Sequence, residues 1–239
     1  MALDVYVMPL WRFKSGDFRS PVEQHFGLRP KVIAVGGSPE QKRGFWGWLL
    51  GRHPEPAEPA VPPRQQVEAI RRAVEERNGV SITWHDEGEV VYSEQGQQFE
   101  ALRAYAFWLD CRDHMPTFEP GVNGRYYDHP VWQLPPEVRS CPHLVKHDCH
   151  GGYHLPCDFE HLVDVEPYTL GGYLPAARSV GSSVRLLREL SRVQDELQVP
   201  DDYKWSADDP LWPVKEAYQQ LKQVAELSVR HGLPVIYDG

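Results

Sequence analysis

The chain has 239 residues, of which 41% are hydrophobic and 11% aromatic, and it carries a formal net charge of −9 at pH 7. Enough apolar side chains are present to build a packed core, which argues against a chain disordered throughout. A nucleic-acid-binding protein needs Lys and Arg clustered on one face, and the acidic balance argues against that class.

The N-terminal stretch MALDVYVMPLWRF has neither a basic segment nor a long apolar segment, so no signal peptide is predicted. No apolar run comes near the roughly 20 residues that a membrane-spanning helix needs. Four cysteines in a chain of this length do not form the disulfide framework of a small secreted protein. We therefore expect a cytoplasmic protein with reduced thiols and no membrane partner.

The first third of the chain predicts strands, a Pro-rich insertion and a helix. Residues 3–10 (LDVYVMPL) and 31–37 (KVIAVGG) have the β-rich composition of strands. A flexible Pro-rich insertion is predicted over 38–63, because its last twelve residues, RHPEPAEPAVPP, contain five prolines. A helix follows, with Pro63 in its first turn and Gly79 as its cap. VSITWHDEGEVVYSE, residues 80–94, then predicts a β-hairpin.

The middle of the chain predicts a helix, a long loop and a strand. QQFEALRAYAFWLDC, residues 97–111, has the apolar stripe of a second helix. Residues 112–137 contain five prolines and many aromatic side chains. A loop of this length is either functional or packed on the surface through its aromatics, and the packed alternative is favoured. LVDVEPYTL, residues 162–170, predicts a strand.

The C-terminal third predicts two helices and a strand, and it completes the fold class. VGSSVRLLRELSRVQDEL, residues 180–197, has a serine N-cap and an apolar stripe, and residues 209–231 have a similar stripe. LPVIYD, residues 233–238, predicts a last strand. Because helices and strands alternate irregularly, the sequence predicts an α+β fold. We expect one domain over residues 1–239, with a mixed or antiparallel sheet and about four helices.

A segment rich in histidine and cysteine holds the candidate site. HLVKHDC and YHLPCDFE flank Gly151 and Gly152, a pair that suits a two-residue hairpin turn. In the resulting register Cys149 lies opposite His154, with further polar side chains on the same face. Leu155 and Phe159 lie on the other face of this hairpin, and we expect them in the core.

Imidazole, thiolate and carboxylate groups on one face suit zinc. The predicted ligands are His147, Cys149, His154 and Asp158. Their spacing matches no standard zinc motif, so two other interpretations stay open. Cys149 could be a nucleophile activated by the neighbouring imidazoles, or the hairpin could be purely structural.

Four stretches carry a resemblance to known sequences: MALDVYVMPLWRFKSGDF, VVYSEQ, LPCDF and SVGSSVRLLREL. Together they resemble a group of bacterial proteins of unknown function, over most of the chain outside the Pro-rich segment. The resemblance implies no catalytic residues. In general character this group is similar to the cytosolic immunity or accessory proteins of bacterial toxin systems.

Two functional hypotheses follow from the sequence. The first is a soluble protein of the immunity or accessory type that binds a protein partner and has no catalytic activity. The long aromatic loop and the acidic charge support it. The alternative is a metal-dependent enzyme or metal-binding protein that uses the predicted hairpin of residues 141–161.

Overall fold

The computed structural model describes residues 3–20, 23, 25, 61–120, 126–135, 139–148, 150–170, 174–200, 203–204, 206 and 208–239. The helices in these ranges are α1 (Leu10–Ser15), α2 (Pro63–Asn78), α3 (Phe99–Asp110), α4 (Pro142–Val145), α5 (Ser183–Leu197) and α6 (Trp212–His231), and Pro130–Gln133 forms a 3₁₀ turn. The strands are β1 (Asp4–Val7), β2 (Tyr92–Gln95), β3 (Gly151–Leu155), β4 (Val163–Leu170), β5 (Leu174–Ser182) and β6 (Val235–Asp238). None of the described helices is both long and apolar enough to cross a membrane.

The strands form one six-stranded mixed sheet in the order β2-β1-β6-β3-β5-β4. β3 runs parallel to β5, and every other neighbouring pair is antiparallel. The predicted α+β class is therefore confirmed, as are the four long helices. The outermost strands of the sheet are β2 and β4.

Side chains that alternate along the strands build two cores, one on each face of the sheet. Val5 and Val235 point to the face covered by α3, α5 and α6. Tyr6, Ile236 and Tyr153 point to the opposite face, which α1 and α2 cover. The sheet is thus a middle layer between helices, and both of its faces are buried.

The predicted hairpin around Gly151 and Gly152 is wrong. Residues 142–145 form helix α4, and Gly151 and Gly152 lie inside β3, between β6 and β5. Gly152 has a φ of +139° and allows a close approach to Ser179 of β5, so its glycine serves strand packing and not a turn. The predicted core positions of Leu155 and Phe159 are confirmed, since they are 0% and 2% exposed.

A buried carboxylate explains why α4 forms where a strand was predicted. Pro142 occupies the first helical position, which needs no N–H partner. The Glu189 carboxylate accepts hydrogen bonds from the backbone N–H of His143 at 3.0 Å and of Leu144 at 2.8 Å. The amides at the start of α4 thus find their partner on α5, about 45 residues further along the chain.

Two other predictions in the first half of the chain are corrected or fall outside the described residues. The hairpin over 80–94 is wrong: only residues 92–95 form a strand, and β2 pairs with β1. The preceding loop is shaped instead by burial of Ile82 and Trp84 against the α2 side of the sheet. The strand predicted over 31–37 and residues 38–60 of the predicted insertion lie outside the described residues, whereas Pro63 begins α2 as expected.

The described cysteines are free thiols, which gives a simple chemical prediction. Cys111 and Cys141 are buried, Cys157 is half-buried, and none of the three forms a disulfide. Burial raises the pKa of Cys141 to about 12, so this thiol should react slowest in the folded protein. We expect a thiol-reactive dye to titrate four thiols after denaturation without reductant. Two missing thiols would reveal a disulfide and contradict the expectation.

Candidate protein-binding surface

Three histidines of the predicted metal segment form a buried cluster instead of a surface site. His143, His147 and His154 are only 1–2% exposed. α4 and the turn after it supply the first two, and β3 supplies the third. The rings of His147 and His154 stack with their centroids 4.0 Å apart, and Tyr237 of β6 packs against both.

Hydrogen bonds fix the tautomer of each ring. His143 Nε2 lies 2.9 Å from the carbonyl of Glu160, and its Nδ1 accepts from the backbone N–H of Ser182 at 3.0 Å. His154 Nε2 lies 3.2 Å from the His143 carbonyl, and its Nδ1 lies 3.1 Å from the Tyr237 hydroxyl. Because a carbonyl only accepts, both Nε2 atoms carry the proton. The His143 ring is therefore neutral, since its Nδ1 accepts a hydrogen bond, and both nitrogens of each ring have a partner.

The third histidine, His147, also carries its proton on Nε2. His147 Nε2 donates to the carbonyl of Tyr153 at 3.1 Å. Burial lowers the pKa of His143 and of His147 to about 4, and it lowers the pKa of His154 still more clearly. The three rings are uncharged at neutral pH, and their bonds join α4, β3 and β6. This cluster is a structural element of the core.

In the described part of the structure, the predicted zinc ligands do not lie close enough together to share one ion. His147 and His154 lie together in the core, whereas Asp158 is exposed and pairs with Arg185 at 2.6 Å and Arg188 at 2.9 Å. Cys149 lies outside the described residues. Within the described part of the chain, no three His, Cys, Asp or Glu side chains are arranged to hold a metal ion.

The longest stretch of the sequence without Lys or Arg lies in this same region. Residues 147–177 contain five carboxylates and no Lys or Arg. They are Asp148, Asp158, Glu160, Asp164 and Glu166. Asp164 and Glu166 lie two residues apart on β4, whereas Asp158 and Glu160 precede that strand. Glu160 and Asp164 are exposed, and neither forms an ion pair with another described residue.

A second acidic stretch lies against the first. Residues 78–102 also contain five carboxylates and no Lys or Arg. The Asn78 side chain donates to the carbonyl of His161 at 3.1 Å and accepts from its N–H at 2.7 Å, and the Cys157 thiol lies 3.0 Å from the carbonyl of Thr83. Glu87 is exposed and, like Glu160 and Asp164, has no ion pair among the described residues. We call these three carboxylates the acidic surface.

Glu166 differs from its acidic neighbours because basic groups surround it. Its carboxylate pairs with Lys14, accepts from the Tyr153 hydroxyl at 3.0 Å and lies 3.9 Å from Arg178 Nε. Burial lowers the pKa of Lys14, and the Glu166 carboxylate partly offsets that effect. Glu166 has a φ of +43° and lies at a β-bulge between Val165 and Pro167. Lys14, Tyr153 and Arg178 thus hold Glu166 in this unusual backbone conformation.

The acidic surface could have been found in the sequence, but its signal was missed. It consists of an absence: no Lys or Arg occurs between Lys146 and Arg178, or between Arg77 and Arg103. Sequence reasoning concentrated on the histidines and cysteines of the same region. Their chemistry suggested ligands, while burial gives His143, His147 and His154 a structural role.

Comparison with protein families gives one match. The model of a family described as "Putative DNA-mimic protein" matches residues 1–237. Neither the search of curated proteins nor the search of solved structures gave a match.

This match corrects two sequence-based hypotheses. The metal-dependent enzyme is contradicted, because the family description points to the binding of DNA-binding proteins and not to a metal enzyme. The prediction of a possible protein partner with no nucleic acid involved also needs correction, since the family description points to a partner that itself binds DNA. Zinc binding as such is untested and stays a prediction. The match spans nearly all of the 239 residues, and the chain therefore belongs to the family described as "Putative DNA-mimic protein".

Proposed function

We propose that the protein binds a DNA-binding protein by presenting carboxylates where DNA presents phosphates. One observation carries the proposal: 31 consecutive residues, 147–177, hold five carboxylates without a Lys or Arg, and they contact a second such stretch. DNA-binding surfaces are rich in Lys and Arg that neutralise phosphates. Exposed carboxylates without ion-pair partners offer the same charge to such a surface.

Other parts of the molecule fit this function. The net charge of −9 attracts basic partners over distances longer than a contact, and this attraction raises the association rate at low salt. We also propose a location in the bacterial cytoplasm, where a DNA-binding partner would be accessible. The immunity or accessory role suggested by the resemblance is replaced by competition with DNA.

The test uses proteins that bind DNA-cellulose as the probe. They are passed at low salt over the immobilised full chain, and bound protein is eluted with duplex DNA. We expect retention that falls as salt is raised and displacement by the duplex. A triple variant, Glu87→Gln, Glu160→Gln and Asp164→Asn, should bind roughly 3- to 100-fold more weakly, since each exposed ion pair contributes about 0.2–1 kcal/mol.

A matched control separates a specific surface from general charge. Asp113, Asp195 and Glu226 are also exposed and form no ion pair with described residues. Converting them to Asn, Asn and Gln removes the same charge from other elements of the fold. Equal weakening in both triple variants would contradict the acidic surface. Retention that duplex DNA does not displace would contradict mimicry itself.

A further inference from the structure

Tyr127 is the most exposed large apolar side chain in the described part of the chain. It is 61% exposed, whereas the preceding Tyr126 is 2% exposed and packs in the core. Of two consecutive tyrosines, the chain therefore buries one and presents the other to solvent. A tyrosine ring offers a large contact area at a small cost in side-chain entropy, and such rings are enriched at the energetic centres of interfaces.

Contacts below the exposed ring fix its position. The rings of Tyr127 and His150 stack with their centroids 5.4 Å apart and their planes 27° apart, and the Tyr127 hydroxyl lies 2.8 Å from His150 Nε2. The same nitrogen lies 3.2 Å from Oε1 of Glu100, which is buried and paired with Arg103 at 2.5 Å. A side chain that is already ordered loses little entropy when a partner covers it.

The two acidic stretches meet a second time below this ring. His150 belongs to the stretch of residues 147–177, and Glu100 belongs to the stretch of residues 78–102. The imidazole of His150 contacts the carboxylate of the second stretch on one side and the ring of Tyr127 on the other. The exposed ring thus lies in the region to which the proposed function assigns the partner.

Carboxylates lie near the ring on both sides. Asp128 follows Tyr127 in the chain, is exposed and forms no ion pair with another described residue. Asp148 Oδ1 accepts from the backbone N–H of His150 at 3.0 Å, and the backbone N–H of Asp148 donates to Ser179 Oγ at 3.2 Å. Asp164 of the acidic surface pairs with this serine across neighbouring strands, about 5 Å away.

We propose that the exposed ring of Tyr127 binds an arginine of the DNA-binding partner by cation–π stacking. The inference rests on the proposed function, and it adds the partner's chemistry: a guanidinium group where the two acidic stretches meet. The face of a tyrosine ring attracts a cation, and a planar guanidinium stacks on it more readily than a hydrated ammonium does. The neighbouring carboxylates supply the charge that a phosphate would supply in DNA.

This arrangement gives the surface a selectivity that charge alone does not provide. Lys and Arg carry the same charge at neutral pH, so long-range attraction to an acidic protein treats them alike. An ordered aromatic ring among carboxylates favours Arg. A second copy of the chain is a poorer occupant, because each copy has a net charge of −9 and like charges across an interface are unfavourable.

The experiment measures the affinity of the full chain for two probes of equal charge, the peptides nona-arginine and nona-lysine. Tyr127→Leu keeps an apolar side chain but removes the π face. We expect its affinity for nona-arginine to fall roughly 3- to 30-fold and its affinity for nona-lysine to change less than twofold. Fluorescence anisotropy with labelled peptides at physiological salt measures both affinities.

Two further variants serve as controls. Tyr127→Phe keeps the ring and loses the hydroxyl, and its affinity for nona-arginine should stay within about twofold of the parent. Tyr203→Leu removes a ring that Lys215 Nζ already approaches, 5.3 Å from the centroid, and it should leave both affinities unchanged. Circular dichroism and the urea midpoint of each variant establish that it is folded.

The outcomes separate the two proposals. If folded Tyr127→Leu binds nona-arginine as the parent does, or loses affinity equally for both peptides, the stacking site is overturned and the proposed function stands. If duplex DNA does not displace DNA-cellulose-binding proteins from the parent, the proposed function fails, and the site loses its DNA-binding partner with it. If the parent sediments as a dimer and Tyr127→Leu as a monomer, the ring is a self-association contact, and the stacking site is overturned.

Discussion

Replacing Gly152 by alanine should destabilise the protein by about 3–5 kcal/mol, because strain and steric overlap act together. A Cβ atom at this position would lie 2.4 Å from the carbonyl oxygen of Ser179 and 3.2 Å from Cε1 of His147. The backbone φ of +139° is also one that residues with a side chain rarely adopt. The parallel pairing of β3 with β5 would have to open to admit the methyl group.

Gly88 provides a matched control for this experiment. Its φ is +127°, close to that of Gly152, but a Cβ atom there would have no heavy atom within 4 Å. Gly88→Ala therefore introduces the backbone strain alone, and we expect a loss of about 1–2 kcal/mol. Urea denaturation of both variants measures the difference. Equal losses would mean that the close approach of β3 to β5 is not what requires glycine.

Acidification should destabilise the protein through the buried histidines. The pKa of His143 and of His147 is about 4 in the folded protein and 6.5 in the unfolded chain. The unfolded chain therefore binds these protons first as the pH falls, and stability present above pH 6.5 is lost between pH 6.5 and 4. Each group accounts for about 3 kcal/mol over this window. His154, whose pKa is also lowered, adds to the loss.

Glu189 opposes part of this effect. Burial raises its pKa to about 7 in the folded protein from 4.5. This carboxylate costs stability at neutral pH, and its protonation between pH 7 and 4.5 returns about 3 kcal/mol. Burial also raises the pKa of Asp4, Asp86, Glu216 and Asp238, which act in the same direction as Glu189. We therefore expect a net loss of stability on acidification that is smaller than the three histidines alone would cause.

Urea titrations at several pH values between 7.5 and 4.5 measure the slope of stability against pH. His147→Gln should reduce this slope, since one proton-binding group is removed from the core. His114→Gln changes an exposed histidine and should leave the slope as it is in the parent. A stability that does not change with pH would show that the cluster is not neutral and buried.

Local sequence patterns, such as N-cap residues and apolar stripes, were sufficient to predict the long helices. α5 begins after Ser182, whose hydroxyl accepts from the N–H of Arg185 at 3.1 Å, and its apolar stripe faces the core. β3 could not be predicted in the same way. Gly151 and Gly152 have the local composition of a turn, and their strand depends on partners at Ser179 and Asp238, far along the chain. Non-local pairing outweighed local preference there.

The two parts of the candidate site also differ in how far the sequence predicts them. The acidic surface lies in two stretches that contain carboxylates but no Lys or Arg, so a count of charged residues along the sequence would have found it. The role of the histidines could not be read in this way. A histidine becomes a neutral core residue only when its partners are placed, and Ser182 and Tyr237 are 39 and 83 residues away from the rings that they contact. Composition does not contain that information.

The position of β6 has a consequence for synthesis of the chain. β6 (Val235–Asp238) lies between β1 and β3 and pairs with both. During vectorial synthesis, β1 leaves the ribosome some 230 residues before its central neighbour exists, so the two halves of the sheet cannot join until then. Such long sequence separation slows folding, and it exposes unpaired strand edges meanwhile. A nascent or truncated chain that lacks residues 235–238 would have a split sheet, and a chaperone that shields β1 and β3 would be of most use during this interval.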